Sequence, residues 1–165
     1  MKRTLPLIGL CFIVISMFMS CTSDDENENL FNSTYEAKIT YSPIENEVLS
    51  IVNDYRSNKG LNKLDRLNII SSVAETHSKY MAEKGIASHD HFSERNEELI
   101  DYANAKKVAE NVAYGFSSSQ DVVNAWLKSD EHRKIIENAE YTHFGISTKT
   151  DNEGRLYFTH IYIKQ

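Results

Sequence analysis

The chain has 165 residues, enough for one domain with a short appendage. Its 24 acidic and 18 basic side chains leave a formal charge of -6 at pH 7, so a global basic footprint is absent and no nucleic-acid partner is expected. With only 2 Pro and 6 Gly, and no internal repeat, it is neither a Pro-rich or collagenous fibre nor a solenoid.

The chain begins with a basic pair, Lys2 and Arg3. Leu5 to Met19 is then almost wholly apolar, interrupted by Pro6, Gly9 and Ser16. That run is short for a membrane span, which needs about 20 residues. A basic start followed by such a run is a secretory signal. It ends Phe18-Met19-Ser20-Cys21, a small residue immediately before a cysteine. This end resembles the lipobox of bacterial lipoproteins, with Phe18 where Leu is more usual. The resemblance implies a lipoprotein signal peptide over residues 1–20, lipidation at Cys21 and a membrane partner reached through that lipid. A plain secretory signal or an uncleaved anchor is the alternative. Cys11 would leave with the signal, and the sequence holds no other cysteine than these 2, so the mature domain would fold without disulfides. Residues 21–40 read as an acidic tether, carrying Asp24, Asp25, Glu26 and Glu28. An acidic run after a lipidated cysteine resembles the surface-export signal of some Gram-negative lipoproteins; a solvated spacer explains it equally. A single domain is expected over 41–165.

Within that domain, Ser42-Pro43-Ile44-Glu45 opens a helix, with a cap, a first-turn proline and a capping-box glutamate. Val48, Leu49, Val52 and Tyr55 continue it at helical spacing, and Gly60 ends it. A second helix is expected from about Asp65 to Lys84, with Ile69, Ile70, Val73, Ala74, His77 and Met81 on its apolar line. The polar loop Ser88-His89-Asp90-His91-Phe92-Ser93 follows. Glu94 to Tyr102 reads as a short helix. Val108 to Tyr114 is short and mostly apolar around Glu110 and Asn111. Ser118 to Asp121 opens a helix through Val122, Val123, Trp126 and Leu127. Ser129 is placed to cap a further turn carrying His132, Ile135 and Ile136. Phe144 to Lys149 and Leu156 to Lys164, joined by Asp151-Asn152-Glu153-Gly154, read as an antiparallel hairpin. Helices first and strands last make an α+β fold, with helices covering a small sheet.

Four segments in this order resemble the CAP superfamily of cysteine-rich secretory, antigen 5 and pathogenesis-related proteins, in its bacterial branch without disulfides. They are Ala74-x-x-His77-Ser78-x-x-Met81-Ala82, Ser88-His89-Asp90 with Phe92, Ala109-Glu110-Asn111-Val112-Ala113-x-Gly115, and Trp126-x-x-Ser129-x-x-His132-Arg133. The resemblance covers about residues 44–164. It implies an α-β-α sandwich, a small antiparallel sheet flanked by helices, with a central cleft. In eukaryotic members the cleft holds two His and two Glu able to bind a divalent metal. His89 and Glu110 match the first of each pair. Ser129 stands in place of the second Glu and Tyr157 in place of the second His. His132 is implied to repopulate the cleft, and His160 stands where the family commonly has Gln. The implied ligand-binding cleft is therefore His89, Glu110, Asn111, Ser129, His132, Tyr157 and His160.

Two chemistries and their plainer alternatives follow from these residues. Zinc or another divalent metal would want three or four converging ligands, for which His89 and His132 are the first candidates and His91, Glu110 and His160 the others. A zinc-bound hydroxide beside Glu110 would make a hydrolase, with His89, Glu110 and His132 as the catalytic set. No His-Glu-x-x-His segment occurs, and no serine sits in a Gly-x-Ser-x-Gly elbow. Against this, His77 lies on an apolar stripe and reads as a buried, hydrogen-bonded histidine. Trp126 reads as core, Asn111 as the holder of a tight turn and Arg133 as a structural partner. The alternative for His89 and Glu110 is a buried pair that fixes the loop. The expected function is a binding module for an envelope or extracellular lipid, peptide or glycan, lipid-anchored in the cell envelope at the outer membrane or cell surface. A metal-dependent hydrolase of peptide or cell-wall material and an inert structural surface protein are the alternatives.

Overall fold

The computed structural model describes residues 39–165; the expected signal peptide, Cys21 and all but the last two residues of the expected tether lie outside the described residues. Ser42 nucleates the first helix, α1 (Pro43–Asn58). Its Oγ accepts from the Glu45 amide, and the Glu45 carboxylate accepts from the Ser42 amide at 2.7 Å. This reciprocal cap satisfies two donors that the first turn would otherwise leave open. Next comes a two-residue strand, β1 (Asp65–Arg66), and then α2 (Asn68–Lys84). The second helix therefore starts three residues later than the sequence suggests. Asp65 and Arg66 pair in parallel with His143 and Phe144, and backbone pairing there outweighs helical continuation. Gly85 ends α2 in the left-handed conformation, at φ 72°.

Helix α3 (Phe92–Ala103) is longer at both ends than the sequence suggests. Strand β2 (Lys107–Tyr114) follows, then α4 (Ser119–Lys128), α5 (Asp130–Ile136), β3 (His143–Thr150) and β4 (Leu156–Lys164). Ser118 caps α4 through its Oγ, whereas Ser129 occupies the N-cap of α5 without a side-chain cap bond. Asn111 sits within β2, opposite His160 of β4, and so lies in a strand rather than a tight turn.

The sheet order is β1-β3-β4-β2. Three strands are antiparallel, and β1 adds a short parallel edge, so the sheet is mixed rather than purely antiparallel. The side-chain alternation of the strands sorts the core into two layers. Phe144, Ile146, Phe158 and Tyr162 pack under α1, α4 and α5 with Val48, Leu49, Val52, Val123, Trp126 and Ile136. Ile161 and Ile163 pack under α2 and α3 with Ile70, Val73, Ala74 and Leu99. The result is the expected α-β-α sandwich. Burial of each large apolar side chain contributes about 1.5–3 kcal/mol. Gly145 lets α2 lie directly on β3: a Cβ there would stand 2.6 Å from the Ser71 amide nitrogen.

Arg56 is a fully buried cation of the α1 layer that the helical pattern did not flag. Its guanidinium donates to the carbonyls of Ile136 (2.6 Å), Asn138 (2.9 Å) and Asn62 (2.9 Å). The first two carbonyls lie at and just beyond the end of α5, so Arg56 fixes the C-terminal end of that helix. Among the described residues no helix is long and apolar enough to cross a membrane.

Candidate functional site

Strand β2 is an edge strand, and its alternation decides what faces what. Val108 and Glu110 point to the α2–α3 side; Ala109, Asn111 and Ala113 point to the α4–α5 side. Glu110 is thus carried beneath α2 and α3, where its side chain is 1% exposed.

An ionised carboxylate that deep needs charged or hydrogen-bonding partners. Arg95, one turn into α3, supplies two: Nε donates to Oε2 and Nη2 to Oε1, each at 2.8 Å. Its Nη1 donates to the Asp90 carbonyl at 2.7 Å, tying α3 to the loop before it. His89 Nδ1 lies 2.8 Å from Oε1. His77 Nε2 donates to the Ser88 carbonyl at 2.7 Å and stands 3.9 Å from the same carboxylate oxygen. Burial alone would raise the Glu110 pKa. The bonds from His89 and Arg95, and the Arg95 charge, overcome that and hold it below the usual carboxylate range. Burial in turn lowers the His77 pKa, which keeps that ring neutral near pH 7.

An ionised Glu110 fixes the His89 tautomer. Nδ1 must carry the proton it donates, so the neutral ring offers a bare Nε2. The His89 side chain is 52% exposed, so this is an open imidazole on a buried anion rather than a buried pair. It stands on the rim of a groove of about 320 Å³ that runs along the β2 edge. Phe92 of α3 and Ile135 of α5 form the opposite walls, and Val108, Ala109 and Glu110 form the floor.

The other expected site residues are distributed around this point. Burial lowers the pKa of the His132 ring, and the neighbouring His89 lowers it further. The His132 carbonyl accepts from Asn111 Nδ2 at 3.2 Å. Asn111 is itself fully buried on the α4–α5 side, opposite in face to Glu110. Ser129 is half-buried at the start of α5. His160 is on the same hidden face as Asn111, walled by Trp126, Phe144 and Tyr162. Tyr162 shares a 2.9 Å hydrogen bond with its Nδ1, and burial lowers its pKa to about 3. Tyr157 is buried at the far end of β4, stacked on Tyr114. His91 pairs with Glu94 on the surface. His89, Glu110 and His132 are therefore gathered at the β2 edge, while Asn111, Tyr157 and His160 do not share a surface with them.

A divalent metal does not fit this set. Both Glu110 oxygens are engaged by Arg95, whose guanidinium already supplies the cation, and His160 lies across the sheet. Among the described residues no three His, Cys, Asp or Glu side chains are placed to share one ion. The same saturation removes Glu110 as a free general base.

Arg95 is the site residue that the sequence reading missed. A signal was present: Arg95, Leu99 and Ala103 are spaced by four, and all three are buried. A lone cation on an apolar helical stripe calls for a buried anion.

The sequence model described as CAP: Cysteine-rich secretory protein family matches residues 49–162. The chain is 32% identical over 126 residues to the uncharacterized membrane protein YlbC of Bacillus subtilis (strain 168), covering 73% of this chain and 34% of that protein. It is 31% identical over 121 residues to the uncharacterized protein YkwD of the same organism, covering 70% of this chain and 46% of that protein. It thus spans about a third and just under half of these two relatives. A solved outer surface protein from Borrelia burgdorferi superposes with a TM-score of 0.68 at 21% identity, covering 78% of this chain and 97% of that one, and shares its fold.

Proposed function

The chain belongs to the bacterial branch of the cysteine-rich secretory protein family, and from that premise we propose that it is a binding module of the cell envelope. It is held to the membrane through lipidated Cys21, with residues 21–40 as tether, and offers the groove at the β2 edge to an envelope or extracellular ligand. Anchoring is supported by the basic start, the apolar run and the Ser20-Cys21 end. Similar proteins described as a membrane protein and an outer surface protein agree with that location. Binding rather than hydrolysis is supported by one observation above all: Arg95 and His89 saturate the Glu110 carboxylate. That carboxylate is a fixed anion that orients His89, not a base awaiting a proton. The apolar walls, with one exposed imidazole between them, have the make-up of a recognition groove.

The test is a nuclear magnetic resonance titration of the full chain in detergent micelles. Three probes are used separately: a blocked pentapeptide, a chitotetraose and a short-chain phosphatidylglycerol. One probe class is expected to shift the resonances of His89, Phe92 and Ile135. Ile135→Lys, which puts a charge into the wall, is expected to abolish those shifts with the thermal midpoint kept. Shifts that map away from the groove, or none with any probe at millimolar concentration, would overturn the reading.

A further inference from the structure

The two long edges of the sheet are treated differently. On the β3 edge, outward-pointing amides are covered by side chains. The Ile146 amide donates to Ser71 Oγ at 3.1 Å, and the Thr148 amide donates to the Glu45 carboxylate at 2.6 Å. Such covering is how sheets avoid unwanted strand pairing. On the β2 edge it is incomplete.

Register identifies which β2 groups point outward. Gly115 donates to the Leu156 carbonyl at 2.8 Å, in step with Ala113 opposite Phe158 and Asn111 opposite His160. In an antiparallel pair the directly bonded residues alternate. Ala109, Asn111 and Ala113 therefore bond to β4, while Val108, Glu110 and Val112 turn their amides and carbonyls away from it. Trp126 Nε1 covers the Val112 carbonyl at 3.0 Å. Among the described residues no side chain hydrogen-bonds to the backbone of Val108 or Glu110. Glu110 as a whole is 5% exposed and its side chain 1%, so most of its remaining exposure is main chain. These open groups form the floor of the groove between Phe92 and Ile135.

We propose that the groove takes an extended peptide segment, which adds to the sheet as a strand along Val108–Glu110. The proposal rests on the groove reading above and deepens it by naming the ligand class. A peptide backbone is the partner whose chemistry fits. It presents a donor and an acceptor at every second residue, at the spacing of the donor and acceptor pairs on Val108 and Glu110. Lipid tails cannot satisfy those groups, and sugar hydroxyls lack their regular spacing. Trp126 limits the added strand to about three residues by closing the Val112 carbonyl. Side-chain selection follows from the pleat. The residue opposite Glu110 faces the His89 side, where the bare Nε2 accepts from a hydroxyl such as that of threonine. Its neighbours face Ile135 and take apolar, β-branched side chains.

The probe is acetyl-Lys-Val-Thr-Val-Lys-amide, added to the full chain in micelles, with amide hydrogen exchange and calorimetry as readouts. In the free protein the Val108 and Glu110 amides are expected to exchange quickly and the Asn111 amide slowly. Saturating peptide is expected to protect both outward amides. Methylating the threonine amide nitrogen removes one ladder bond and is expected to weaken binding about tenfold. Val108→Pro removes an outward donor at a position where an edge strand tolerates proline, and is expected to weaken binding similarly. Circular dichroism confirms that this variant folds; Ile135→Lys serves as the second block if it does not. Binding that shifts Phe92 and Ile135 but ignores N-methylation, or protects neither amide, would overturn strand addition and leave the groove as a ligand site. Response to the chitotetraose or phosphatidylglycerol alone would do the same. Slow exchange of both amides without peptide, concentration-dependent or not, would overturn it in favour of a second copy or another segment of this chain. Absence of binding by every probe would overturn both readings.

Discussion

The guanidinium of Arg95 meets the carboxylate of Glu110 in two parallel hydrogen bonds of 2.8 Å, with both side chains almost wholly withdrawn from solvent. One partner rises from α3 and the other from β2, so the pair joins a helix to the sheet edge that forms the groove. It also holds the carboxylate that determines which His89 nitrogen faces solvent. Binding geometry and folding stability therefore meet in one contact.

Arg95→Met leaves Glu110 buried without its cation, and breaking such a pair costs about 3–5 kcal/mol. The expected result is a fall of that size in urea unfolding. Adding Glu110→Leu removes the stranded charge and is expected to restore most of the loss. A single variant as stable as the parent would show that water compensates the carboxylate.

His160 links stability to pH. Its ring is neutral and sealed, with a folded pKa of about 3 against about 6.5 for an unfolded histidine. Between these values the unfolded chain binds a proton that the folded chain refuses, so stability falls as pH drops from about 6.5 toward 3. The contribution has a limiting slope of about 1.4 kcal/mol per pH unit. Glu110 adds loss in the same direction at lower pH, as its depressed carboxylate protonates. His160→Phe is expected to flatten the profile between pH 6 and 4 by roughly that slope. An unchanged slope in urea unfolding across this window would exclude His160 as its source.

Gly145→Ala tests how closely α2 lies on β3. The added carbon would meet the Ser71 nitrogen at 2.6 Å and Ile70 Cβ at 2.8 Å, neither of which can swing aside. A loss of about 1–3 kcal/mol is expected, read as a lower thermal midpoint. No change would mean that helix and strand separate freely.

Zinc titrated into the metal-stripped full chain is expected to bind weakly at several sites, with an isotherm unaffected by His89→Ala. One tight site lost in that variant would reinstate a metal centre and, with it, the hydrolase reading.

Local rules carried much of the fold. The capping box at Ser42, the left-handed Gly85 and the hairpin around Gly154 are short-range features, and each appears where the residues suggest. The misses needed partners distant in sequence. Asp65 and Arg66 leave the helix because His143 and Phe144 offer a backbone ladder. Nothing in Val108 to Tyr114 alone distinguishes an edge strand from another short apolar run. His89 and Glu110 were legible as neighbours only through the resemblance, because a loop and a strand 21 residues apart meet nowhere in the local pattern.

The sequence by itself determined the family, the α+β class, the order of helices before the hairpin and the identity of His77 and Trp126 as buried side chains. These depend on periodicity, caps and motif order, all written within a few residues of each other. Tertiary structure alone decided the composition of the site. Strand pleat sends Glu110 and Asn111 to opposite faces, so neighbours in sequence are separated by the whole sheet. Helix α3 brings Arg95 to Glu110 and thereby converts a candidate base into a fixed anion. Whether a carboxylate can take a proton depends on what surrounds it in space, and that is set by packing rather than by its place in the chain.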